Sequence, residues 1–147
     1  MKNLFTLFLA AGLFIALSGS VHAQENYGGA LNTFVKFGDN SSISANFEFQ
    51  VAPSLTVSPE ARIWFSGDND LAIGGRADYY FDSLFGLVEP WDIWAGVDAA
   101  FISGDGDDFG LNAHLGVEYK INDFIGIIAE FGGGTTTAGG IGVGFHF

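Results

Sequence analysis

From Leu31 to Phe147, charged residues within extended stretches fall at even-numbered positions, and the odd positions beside them are apolar. Lys36, Glu48, Glu60, Arg62, Arg76, Asp78, Asp92, Asp98, Glu118, Lys120 and Glu130 are all even; Val35, Phe47, Phe49, Ala61, Ile63, Ala77, Tyr79, Ile93, Val97, Val117 and Ala129 stand among their odd neighbours. Successive side chains of a strand point to opposite faces, so this period of two predicts strands with one polar and one apolar face. Eight are predicted between turn signals: Leu31–Phe37, Ile43–Val51, Leu55–Phe65, Leu71–Phe81, Trp91–Ile102, Phe109–Lys120, Phe124–Phe131 and Thr137–Phe147. Pro59 falls on an odd position of the third, where its missing N–H predicts a bulge.

Connections of two kinds alternate along the chain. Residues 38–41, 66–70, 103–108 and 132–136 are rich in Gly, Asp and Thr, and suit water. Ala52-Pro53-Ser54 and Ile121-Asn122-Asp123 are tight turns, and Asp82–Pro90 is longer. Each kind belongs to one end of an up-and-down meander. A sheet whose strands all keep one apolar face needs a second layer or lipid to cover it. The odd-face aromatics gather at strand ends: Phe37, Phe65, Phe101, Phe109 and Phe131 at one end, Tyr79, Phe81, Trp91, Tyr119, Phe145 and Phe147 at the other. Two aromatic girdles around an aliphatic band are what a membrane barrel turns to lipid. Eight strands of about 9–11 residues suffice to cross, and closing the sheet removes the edges lipid would not tolerate.

The front of the chain fits export. Lys2, the uncharged run Leu4 to Leu17 and Val21-His22-Ala23 predict a signal peptide over residues 1–23, leaving a barrel domain over 24–147. The run is short for a membrane anchor. The absence of Cys excludes a lipoprotein and any disulfide. Losing Lys2 moves the formal charge from −12 to −13, which disfavours nucleic acid and anionic headgroups as partners. With 48% hydrophobic and 16% aromatic residues, disorder is not expected.

The chain resembles the small outer-membrane β-barrel proteins of Gram-negative bacteria, the porin-like group that includes OmpX and the barrel domain of OmpA. The resemblance spans the whole exported part and is carried mostly by pattern. Its sharpest element is the last strand, where Gly142, Phe145 and Phe147 match the family's insertion signal while Gly140 takes the place of its polar residue. Trp91-Asp92-Ile93-Trp94-Ala95-Gly96 and Tyr119-Lys120-Ile121-Asn122-Asp123-Phe124 resemble its strand starts and turns. The resemblance implies insertion into the outer membrane by the barrel assembly machinery, with termini and short turns in the periplasm. It implies no single activity.

The even face would fill the interior, since eight strands leave room for side chains but not for an aqueous channel. Trp64, Tyr80 and Trp94 are bulky, and Gly74, Gly96, Gly110, Gly116, Gly126, Gly140, Gly142 and Gly144 give them space. The seven even-face carboxylates and four cations named above must be paired or hydrated. They form either a plug that holds the register or a narrow, cation-preferring path, and the plug is the reading the residues favour.

Other chemistry has thin support. His114 and His146 lie on inward positions without an outward Ser, so no catalytic residue, zinc site or cofactor is expected. Asp68 and Asp70, or Asp105, Asp107 and Asp108, could touch a divalent cation weakly, although solvated turn residues are the simpler reading. The expectation is a non-enzymatic, all-β, eight-stranded antiparallel transmembrane barrel with a structural or surface role. A narrow cation-preferring pore is the alternative. A secreted soluble barrel with its apolar face turned inward onto a ligand is the second.

Overall fold

The alternation becomes nine extended segments: β1 (Ala30–Phe37), β2 (Ser42–Phe47), β3 (Phe49–Ala52), β4 (Leu55–Trp64), β5 (Asn69–Tyr80), β6 (Trp91–Gly104), β7 (Asp108–Lys120), β8 (Ile125–Gly134) and β9 (Gly139–His146). A short helix, α1 (Asp82–Phe85), lies between β5 and β6. This computed structural model describes residues 26–38, 41–65, 69–104, 108–136 and 139–147. The expected signal peptide lies outside them.

Every pairing is antiparallel; β2 and β3 both pair with β4, the later strands pair with their neighbours in sequence, and β1 pairs with β9 from Ala30↔His146 to Phe37↔Gly139, which closes the sheet. β2 and β3 are two halves of one strand broken at Glu48, so the barrel has eight strands. At the break, Glu48 N–H donates to the Ala30 carbonyl (2.8 Å) and Gly29 N–H to the Glu48 carbonyl (2.9 Å). Two residues thus face one, with Gly29 at φ +82°, the left-handed conformation that such a bulge needs.

That bulge corrects the one expected at Pro59. β4 runs unbroken through Pro59↔Gly75, and its partner strand carries the irregularities. The pairings with β4 stop at Asn46↔Glu60 and resume at Phe49↔Val57, and the register shifts between Gln50 and Ala52. Pro59 has no N–H to give, so the ladder thins on the side facing that gap.

Three loops also shrink relative to expectation. Gly132–Gly134 belongs to β8, paired with Asn112–His114, and Asn69↔Gly104 extends the β5–β6 ribbon into both of its loops. Glycine marks a turn in a sequence, yet here it admits close backbone approach. A Cβ at Gly132 would collide with the Ala113 carbonyl and with His114. The opposite end keeps its tight turns. Asn122 Oδ1 accepts the N–H of Phe124 (2.8 Å) and of Ile125 (3.0 Å), a side-chain mimic of a backbone turn.

The odd positions face outward, with Val97 57% and Leu115 60% exposed, while the charged even positions are buried except Lys120, which is partly so. This overturns the second alternative. A soluble barrel enclosing an apolar ligand needs the reverse orientation, and here the apolar face is the outer one.

Candidate functional site: the barrel interior

Strand tilt brings residues distant in sequence to one level. The largest cluster sits near mid-barrel. Arg76 of β5 is bidentate to Asp78, Nε donating to Oδ2 (2.7 Å) and Nη2 to Oδ1 (2.9 Å), and Nη2 also donates to Glu130 Oε2 (2.9 Å). Lys36 Nζ donates to Glu130 Oε1 (2.7 Å) and lies 3.9 Å from Glu60. Arg62 donates to Glu60 (2.7 Å) and lies 3.5 Å from Asp98. Asp98 also accepts from Asn112 Nδ2 (2.7 Å). His114 Nε2 is 2.7 Å from Asp78 Oδ1 and 2.8 Å from Arg76 Nη2, with Nδ1 3.5 Å from Asp98.

Seven of the eleven predicted charges therefore meet here, joined by His114, which the sequence left as filler. Asp78 has no exposed surface and Lys36 only 1%. Taking such charges out of water costs several kcal/mol each, and it is offset only when pairing and hydrogen bonding are nearly complete. They fall short at Arg76 Nη1 and His114 Nδ1, and also at Glu60 Oε2, Arg62 Nε and Asp98 Oδ2, where a space of about 10 Å³ is lined by those last three residues. That is about the room one water needs.

The other four charges stand apart, at the tight-turn end. Lys120 contacts Asp92 (3.0 Å) and Glu89 (3.4 Å), and His146 Nε2 lies 2.8 Å from Glu118. Both oxygens of Glu48 accept from the Tyr80 hydroxyl, at 3.1 and 3.0 Å. Between these pairs and the central cluster lies an apolar layer of Tyr27, Phe34, Tyr80, Trp94 and Ile128. Tyr27 stacks on Tyr80 with ring centroids 4.1 Å apart. Trp64, Ala72 and Ile102, with Ala100 against them, form a second apolar layer at the loop end. Aromatic faces also receive the cations: Phe34 lies 5.0 Å from Lys36 and 5.7 Å from Arg76, and Trp64 lies 5.8 Å from Arg62. The single network read from the sequence is thus several, separated by an aromatic layer.

The remaining predicted positions are plainly placed. Gly142 gives room to the Phe34 ring, and Phe145 and Phe147 meet Phe124 edge-on at 6.2 and 5.7 Å. Asp68, Asp105 and Asp107, and the side chains of Asp70 and Asp108, lie outside the described residues. Among the described residues no group of three or more His, Asp or Glu is placed to hold a metal. Reading missed Tyr80, Asn112 and Thr136 as partners of the charges. Their even numbers were the available signal, and their neutral side chains hid it.

No family model matches the chain. No curated protein matches it. A solved structure from work described as "De novo design of transmembrane beta-barrels" is similar, with 21% identity and a TM-score of 0.57 over 82% of this chain and 98% of that one. At that identity the likeness shows the fold, a closed eight-stranded antiparallel barrel.

Proposed function

We propose that this chain is a non-enzymatic outer-membrane barrel of Gram-negative type, exported by a cleaved signal peptide, with a structural or surface role and an interior closed to ions. The observation that carries this reading is the outer wall. Val35, Ile43, Ile63, Ile73, Val97, Leu111, Leu115, Ile127 and Ile141 form an exposed apolar belt, far beyond the scattered apolar residues of an ordinary soluble surface. Girdle rings meet in cross-strand pairs above and below it: Phe101 with Phe109 at 5.4 Å, and Trp91 with Tyr119 at 4.9 Å.

Lipid is the partner this wall fits, and the barrel assembly machinery would read Gly142, Phe145 and Phe147 during insertion. The similar structure belongs to work on transmembrane barrels, which agrees with the membrane assignment. The two apolar layers favour a closed plug over the narrow cation-preferring pore, because an ion crossing them would shed its hydration without a replacement ligand. Both mature-chain histidines are engaged by carboxylates inside the barrel, which favours filler over catalysis.

Cell fractionation, with the membrane protein run on a gel with and without boiling, tests the assignment. An outer-membrane band that migrates differently unboiled is expected; a soluble periplasmic protein would overturn it. In planar bilayers the purified barrel should give no conductance steps, and steady cation-selective steps would establish the pore instead.

A further inference from the structure

The exposed apolar surface continues past the strands most extensively between β5 and β6. Between Phe81 and Pro90 the chain turns through α1, whose position is tied down at its first residue. Asp82 is buried, and its Oδ1 accepts the Ile93 N–H at 2.8 Å, fixing the helix to β6. Gly86 ends it in a left-handed conformation (φ +62°), and Leu87 N–H returns to the Asp82 carbonyl at 3.0 Å. The result is a bracket, held at its first residue, that presents Leu84, Phe85 and Val88 outward, 64%, 70% and 78% exposed. No strand or loop among the described residues covers them.

Ring contacts join the bracket to the girdle: Phe85 lies 6.3 Å from Phe81, which lies 5.1 Å from Tyr79 on the outer wall. Charge is sparse, since Asp82 is buried and only Glu89 is otherwise ionic between Phe81 and Pro90. We infer that α1 and Val88 form a foot that rests in the headgroup–acyl boundary of the adjacent phospholipid leaflet, extending the tight-turn girdle sideways. This rests on the membrane reading above. A phospholipid boundary fits better than a protein partner because the patch is continuous with the lipid-facing wall. It also has the aromatic and aliphatic make-up that partitions roughly 5–10 Å into that boundary.

The chain contains no cysteine, so single labels are unambiguous. The full barrel, refolded into phosphatidylcholine vesicles, would carry an environment-sensitive dye on Phe85→Cys, Val88→Cys, Val97→Cys or Asp123→Cys in turn. Dyes at 85 and 88 should lose most of their emission to lipids brominated near the headgroup and little to aqueous iodide. The dye at 97 should respond to lipids brominated near mid-chain, and that at 123 to iodide. If 97 responds to lipid while 85 and 88 respond to iodide, the foot is wrong and the barrel stands. If 97 also responds only to iodide, the membrane reading fails first. Should Phe85→Cys not refold once its contact with Phe81 is lost, Val88→Cys carries the test alone.

Discussion

A Cβ placed at Gly116 would run into the Trp94 indole, one at Gly96 into the Asp78 carboxylate, and one at Gly126 into Glu118. These glycines are the sockets in which inward side chains of neighbouring strands lie. Overfilling a packed site forces shifts costing about 1–3 kcal/mol, so Gly116→Ala should lower the unfolding free energy by that order, read as a lower urea midpoint. Gly133→Ala, with nothing within 4 Å of the new methyl, should leave it nearly unchanged. The outer face gives a complementary contrast. Val97 points away from the barrel at mid-strand, and Val97→Arg should destabilise by roughly 2–4 kcal/mol, as a cation at a bilayer midplane does. Ala100→Ser, on the inner face, should be far milder. Equal effects of the two on urea unfolding in vesicles would contradict the assigned faces.

Among the elements, strands were legible because a period of two leaves its mark at every residue, and all eight lie close to where the alternation put them. Their ends were less so, since Ser103-Gly104 and the glycines at 132–134 are compatible with a loop or with a ladder drawn unusually close. The break at Glu48 left no trace in the composition of its own strand: Gly29, just before β1, and Pro59 of β4 stand on either side of it. The helix α1 spans one turn, too short for a period of 3.6 to register. Two ion pairs were there to be read. Arg76–Asp78 and Glu60–Arg62 are each two residues apart on one strand face, whereas Lys36–Glu130 depends on the closed ring. Just past β9, Phe147 is 76% exposed, meets Phe124 edge-on and donates its N–H to the Gly29 carbonyl. Phe147→Ala should therefore cut the amount reaching the outer membrane while the inserted protein melts nearly as before, read by the unboiled gel band against temperature. Insertion at full yield would remove the insertion signal from the case.

At the scale of the whole molecule, an even strand number puts both ends of the barrel chain on one side, together with the Asp82–Pro90 connection. Epitope tags inserted after Asp68 and after Ser83 should report opposite sides of the membrane. Surface labelling of intact cells should reach the first and not the second, and the reverse pattern would invert the barrel. The distribution of charge within the wall has its own outcome at this scale. Lys36 on β1 meets Glu130 on β8, 94 residues later, and Arg76 meets the same carboxylate from 54 residues away. Until the late strands arrive, both cations lack that partner, and Arg76 has Asp78 of its own strand while Lys36 has only the more distant Glu60. The central cluster thus works as a latch on completeness: a chain that stops short, or zips its strands out of order, keeps charges it cannot settle. Only the finished ring brings them to rest.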